Sequence, residues 1–146
     1  MTFNFSEFKN KKIIVTGSST GIGFETGIEF LNLGSNVIFH GNQSINDLEA
    51  RVKTKSQSQN FKIFKSDFTE LSQVDDFMNN AINYLDGLDI LINNAGTMVG
   101  RYQLDTISEK DFLKIFDLNA KSAYFATKSA CTIFKKQNYG NIINVS

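Results

Sequence analysis

Proline is missing from all 146 residues, where average usage of ~5% would supply about seven. Asparagine, lysine, isoleucine and phenylalanine are abundant instead, a base-composition bias that carries no mechanism. Cysteine is almost as scarce. Cys131 is the only one, so no internal disulfide can form and nothing points to an oxidising compartment. Neither sign of charge is in excess, with 15 Lys plus Arg against 15 Asp plus Glu. That removes the electrostatic reason to expect nucleic acid or an anionic membrane as partner. Long apolar runs are missing as well. Residues 1–10 alternate Phe3, Phe5 and Phe8 with polar residues, unlike a signal peptide, and no stretch approaches the ~20 apolar residues of a membrane span. The expectation is a cytoplasmic protein with no metal site, no nucleic acid and no membrane, whose partners must be read from its sites.

What is present is enough for one domain with a real core. Apolar residues make up 41% and charged residues 21%, close to ordinary soluble usage and far from disordered or fibrous chains. Short apolar runs alternate with helical patterns along the whole length, the signature of parallel βαβ units. Strands are predicted at residues 12–16, 36–40, 61–65, 89–93 and 141–145. Helices are predicted at 22–33, weakly at 46–55, at 72–85, and as one long helix from Ser108. In the third of these, Val74, Phe77, Met78, Ala81, Ile82 and Leu85 fall on one apolar stripe facing a sheet. Ser108 and Asp111 form a variant capping box for the long helix, whose stripe runs through Phe112, Ile115, Phe116, Ala123, Ala126, Ala130 and Phe134. The fold class is therefore α/β, a doubly wound parallel sheet (a Rossmann fold) that binds its ligand at the carboxyl edge of the strands.

Strand residues Ile13, Ile14 and Val15 run straight into Thr16, Gly17, Ser18, Ser19, Thr20, Gly21, Ile22 and Gly23, and then into a helix whose face includes Ile28 and Leu31. Gly17 suits a sharp exit from the strand, Gly21 clears the place where phosphate approaches backbone, and Gly23 allows close helix packing. The amides around Gly21 and Ile22 have no helical acceptors and lie at the positive end of the helix dipole, which makes an anion site. A structural turn is the plain alternative. The strand before it and the helix after it favour a pyrophosphate cradle. A P-loop is excluded, because no Gly-Lys-Ser/Thr follows at its spacing.

At this point the sequence resembles the short-chain dehydrogenase/reductase family. Thr16, Gly17, Gly21 and Gly23 match its Thr-Gly-x-x-x-Gly-x-Gly turn, Asp67 stands just after the third strand as its adenine-contacting acid does, and Asn93, Asn94, Ala95 and Gly96 match its Asn-Asn-Ala-Gly motif. The resemblance runs from about Lys11 to Ser146. It implies a nicotinamide dinucleotide held by Thr16, Gly17, Ser19, Thr20, Gly21, Ile22, Gly23, Asn42, Asp67, Phe68, Asn94, Ala95 and Gly96. For Asp67 the plain alternative is a helix cap, and for the Asn93 to Gly96 run it is a loop stitching strands together. Asn119 falls along the apolar stripe of the long helix, where an unsatisfied amide would cost ~1–3 kcal/mol. The resemblance makes it a catalytic residue that distorts its helix and holds a water of the proton relay; a core amide bonded to backbone is the alternative.

The implied reaction passes hydride between nicotinamide and a carbonyl or alcohol carbon, with a tyrosine as general acid/base, a lysine lowering its pKa and a serine polarising the carbonyl. Those residues are expected beyond the end of this chain, with Ser146 as the neighbour of the serine. The chain thus reads as an N-terminal fragment, truncated after the fifth strand and inactive alone. Tyr124 and Lys128 have the Tyr-x-x-x-Lys spacing, but they precede the fifth strand, and the match is taken as coincidence. Within the family, 3-oxoacyl carrier-protein reductases and sugar or alcohol dehydrogenases are the nearest types, and a homo-oligomeric whole enzyme is expected. An acid that would bond the ribose 2′-hydroxyl of NAD is replaced at the end of the second strand by Gly41 and Asn42. NADP is therefore preferred over NAD, with Ser19, Thr20 and Asn42 as neutral donors. His40, the single histidine, is expected to be structural or adenosine-facing, and Cys131 a small buried hydrophobe. Gly100, Arg101 and Tyr102 lie on a loop that borders the family's substrate site, and no substrate is assigned to them. A non-catalytic nucleotide-binding or regulatory protein and an inactive gene remnant stay open. A methyltransferase would want an acid after the second strand, and extended-branch epimerases space their glycines differently.

Overall fold

The computed structural model describes residues 5–42, 45–98, 100, 101, 103 and 105–146; Phe3 and Tyr102 lie outside the described residues. Five strands, β1 (Lys12–Val15), β2 (Asn36–Gly41), β3 (Phe61–Lys65), β4 (Ile90–Asn93) and β5 (Asn141–Asn144), form one parallel sheet in the order β3-β2-β1-β4-β5. Val15 pairs with Phe39 on one side and Ile92 on the other. The chain winds outward from β1 in one direction and, after β3, returns to the other side of β1. The point where the order reverses lies between β1 and β4, where such sheets open a crevice at their carboxyl ends.

The central strands are continuous apolar runs because both faces are covered. Ile13, Ile14, Val15, Val37, Ile38 and Phe39 have no accessible surface. Alternation along the strand sorts them between two cores. Ile13, Val15, Val37 and Phe39 pack with Phe24, Ile28 and Leu31 of α1 (Gly21–Asn32) and Leu48 and Val52 of α2 (Asn46–Lys55). On the opposite face Ile14, Ile38 and Leu91 meet α3 (Leu71–Leu85), whose six stripe residues are all buried, together with Ala126 and Ala130 of α5 (Ser122–Gln137).

The long helix departs from expectation. Ser108 does cap it, its Oγ accepting from the Asp111 amide at 3.1 Å. It then divides into α4 (Glu109–Phe116) and α5, joined by a π-helical turn at Asp117–Lys121. A π turn inserts a residue into the helical period, so one stripe cannot stay in phase through both halves. On α5 the phase faces the sheet, with Ser122, Ala126 and Ala130 buried. On α4 no residue is buried, and Phe112 and Phe116 are 54% and 55% exposed.

Candidate functional site

The turn after β1 leaves the strand at Gly17 with φ +60°, a conformation costly for any side chain, and a Cβ there would lie 2.6 Å from Ala95 Cα. The motif on β4 explains the fit. The main-chain amides of Asn94 and Ala95 both donate to Thr16 Oγ1 at 3.0 Å. Asn94 Nδ2 donates to the carbonyls of Thr16 and Gly17, also at 3.0 Å, and the same amide occupies the space a side chain at Gly23 would need. The stitching role of the Asn-Asn-Ala-Gly run is therefore present in the structure. Gly21 differs from these tight positions. Its φ is +60°, yet nothing lies within 4 Å of where its Cβ would be. Thr20 supplies no side-chain cap to α1, so the first-turn amides keep no local side-chain acceptor.

His40 closes the other wall. Its ring is 3% exposed and bonded at both nitrogens: Gly17 N–H donates to Nδ1 at 2.9 Å, and Nε2 lies 3.0 Å from the Ser66 carbonyl. An amide can only donate and a carbonyl can only accept, so the ring is neutral with its proton on Nε2. Burial pushes its pKa down from 6.5 to about 4, against smaller upward effects of the Ser66 carbonyl and the Asp67 charge. The ring stacks on Phe68 at 4.0 Å between centroids. His40 is structural, one of the two roles expected for it.

Asp67 Oδ1 accepts from the amide and hydroxyl of Thr69 at 3.0 and 2.8 Å. Burial would raise its pKa, but the two Thr69 bonds, a bond from Asn42 and the Lys114 charge together hold it below the ordinary carboxylate value. It orders the loop before α3, while the N-cap itself is Glu70.

A cleft of about 340 Å³ runs between these walls, lined by Gly17, Ser19, Thr20, Ile22, His40, Gly41, Asn42, Phe68, Asn94, Ala95, Gly96 and Leu118. Thr16 is buried beneath it and Gly23 behind it. Asn119 instead borders a neighbouring cleft of about 380 Å³, with Asn93, Ala95, Tyr124, Thr127, Asn144 and Ser146. It is not in the core, as the out-of-phase π turn requires, but exposed. Its amide is satisfied by backbone, Oδ1 accepting from Thr97 N and Nδ2 donating to Thr97 O, both at 2.8 Å. Tyr124 borders the same cleft, while Lys128 Nζ sits 5.5 Å from the Phe125 ring centre.

Two residues at the site had no sequence signal. Arg51, on the apparent surface of α2, donates from Nη2 to the Ser19 carbonyl at 2.6 Å and lies 5.0 Å over the Phe24 ring. Its Nε faces Asp47 Oδ2 at 2.9 Å, but off the line of a hydrogen bond, and finds no other acceptor among the described residues. Gly27, outside the glycine motif, gives α1 its close approach to β2, since a Cβ there would overlap the Phe39 ring.

The pattern of the short chain dehydrogenase family matches residues 11–146. The chain belongs to that family. Among curated relatives, the chain is 32% identical to a probable NADP-dependent mannitol dehydrogenase of Yarrowia lipolytica, over 92% of its own length and 49% of the relative's. It is 33% identical to the sorbose reductase sou1 of Schizosaccharomyces pombe, over 98% of its length and 56% of the relative's. The chain thus spans about half the length of the curated relatives it matches. The crystal structure of an NADH-dependent reductase, A1-R′, complexed with NAD superimposes with a TM-score of 0.84 at 28% identity, over 97% of this chain and 61% of that one. The fold is accordingly a parallel five-stranded Rossmann-type sheet with flanking helices. Among the described residues no helix is long and apolar enough to cross a membrane.

Proposed function

We propose that residues 1–146 form one dinucleotide-binding domain, which holds NADP in preference to NAD for an oxidoreductase acting on a small carbonyl or alcohol substrate. The observation that carries this reading is the start of α1, which no side chain caps, beside the cleft lined by Gly17, Ser19, Thr20 and Ile22. Main-chain amides at a helix N-terminus, with no side chain in front, suit a pyrophosphate. Ser19, Thr20, Ile22, Asn94, Ala95 and Gly96 would surround it, and Asp67, anionic and tied to Asn42, would accept from the adenine amino group beside Phe68.

The preference for NADP rests on charge. No carboxylate ends β2, where Gly41 and Asn42 line the cleft, and Arg51 brings a cation to the Ser19 carbonyl on the same side. A 2′-phosphate there meets no carboxylate on β2 itself, with Asp67 as the acid bonded to Asn42 and Arg51, which also faces Asp47, as the cation at the Ser19 carbonyl. The relatives' names include both an NADP-dependent and an NADH-dependent protein, so the preference rests on these residues alone. For Asn119 we propose the relay role, supported by its place in the π turn at the edge of the cleft that Tyr124, Asn144 and Ser146 line. The single Tyr-x-x-x-Lys spacing, Tyr124 to Lys128, sits on α5 with its lysine turned onto Phe125, and we propose that the chain by itself gives no turnover. Phe112, Phe116 and Tyr124, exposed along α4 and α5, support a homo-oligomeric whole enzyme. Calorimetric titration of the chain with NADP and NAD tests the central reading. Saturable binding with NADP tighter is expected; no saturable binding of either would overturn it.

A further inference from the structure

The histidine at the end of β2 is tied into this site by both its main chain and its ring. Its main chain and ring together make four bonds. Its amide donates to Ser18 Oγ at 2.8 Å, and its carbonyl accepts from Ser18 N at 2.9 Å. Ser18 Oγ in turn donates to the Val15 carbonyl at 2.7 Å. The ring accepts from Gly17 N–H and donates to Ser66 O, and Ser66 Oγ donates onward to the Gln73 carbonyl of α3. One imidazole therefore spans from the turn after β1 to the loop after β3, two segments that approach the same cleft from different strands.

We propose that His40 is a positioning residue for the dinucleotide: its neutral Nε2–H ring sets the place of the Gly17 turn, and through it the amides that face the pyrophosphate. This inference rests on the dinucleotide reading above. Gly17 has little freedom to compensate if the bond is lost, because Ala95 blocks it on one side and Asn94 Nδ2 holds its carbonyl on another. Removing Nδ1 leaves a confined amide without an acceptor, which the turn can satisfy only by moving. The ring meets uncharged groups: Gly17, Ser66, Phe68 and Phe77. The charge acting on it is that of Asp67, on the loop after β3. Burial depresses its pKa to about 4, so at neutral pH the ring stays in the one form that can bridge both segments.

The action is on the phosphates, so the effect must depend on whether the ligand has them. His40→Phe keeps an aromatic ring against Phe68 and removes both polar bonds. NMR-detected titrations of wild type and variant with ADP and with adenosine read the difference. The variant is expected to bind ADP roughly tenfold more weakly, about the worth of one buried hydrogen bond, and adenosine within about twofold of wild type. Equal loss for both ligands would mean general damage and overturn the inference. Unchanged ADP binding would also overturn it, with the dinucleotide reading left standing. If wild type binds neither ligand, both fall. Should His40→Phe not fold, the ring ¹⁵N shifts of the wild type decide: a proton on Nε2, with Nδ1 accepting, is required, and a proton on Nδ1 would refute it.

Discussion

Asn94 Nδ2 donates to the carbonyl oxygen of Gly17 at 3.0 Å, tying the loop after β4 to the turn after β1 across the crevice of the sheet. The same nitrogen holds the Thr16 carbonyl. Asn94→Ala removes both bonds at a half-buried position, and about 1–3 kcal/mol of stability should go with them. Urea unfolding of wild type and variant measures this. A difference below about 0.5 kcal/mol would mean that water replaces the amide without loss.

Gly17 and Gly21 share a φ of +60° but not their surroundings. Gly17→Ala meets Ala95 backbone as well as the left-handed penalty and should destabilise by more than about 2 kcal/mol. Gly21→Ala has open space and should cost only the penalty, about 1 kcal/mol, while stiffening the backbone that presents the first-turn amides. Thermal unfolding and NADP titration of both variants are expected to separate: stability falls more in the first, and affinity falls more relative to stability in the second. Equal stability losses would contradict the account.

His40 makes stability depend on pH. Its pKa is 6.5 in the unfolded chain and about 4 in the fold, so between those values the unfolded state binds more protons. Its contribution is complete above pH 6.5, is lost as the pH falls toward 4, and amounts to about 3 kcal/mol at ~1.4 kcal/mol per unit. Asp67, held below its ordinary value of 3.8, adds a loss of the same sign only at lower pH. Unfolding free energies measured from pH 7 to 4 should decline in wild type and decline less in His40→Phe. Identical slopes would show that other groups carry the acid sensitivity.

Arg51 gives a test of cofactor choice. Arg51→Gln removes the charge and shortens the side chain that reaches the Ser19 carbonyl. NADP affinity should fall about five- to tenfold, in line with ~1 kcal/mol for a partly exposed charge pair, and NAD affinity should stay within twofold. An equal effect on both would assign Arg51 to holding the Ser19 carbonyl alone.

Much of this was legible from residue pattern. Strands buried on both faces must be apolar throughout, and Ile13 to Val15 and Val37 to Phe39 are. The stripe of α3 holds its period for four turns with nothing to break it. The break between α4 and α5 was not legible in the stripe, because a single inserted residue leaves the composition of Phe112 to Phe134 unchanged while rotating one half against the other; only the resemblance, at Asn119, implied a distortion there. Asn119 was misplaced into the core for the same reason. Arg51 and Gly27 were invisible for a different one. Their roles come from contacts with Ser19 and Phe39, 32 and 12 residues away in sequence, which local pattern does not encode.

The central claim is that an anion-bearing dinucleotide sits against the uncapped start of α1. Amide shifts of the ¹⁵N-labelled chain, followed while NADP is added, test it most directly. The account predicts saturable shifts largest at Gly21 and Ile22, with companions at Ser19, Asn42 and Gly96. Shifts that never saturate, or that saturate while Gly21 and Ile22 stay fixed, would contradict it.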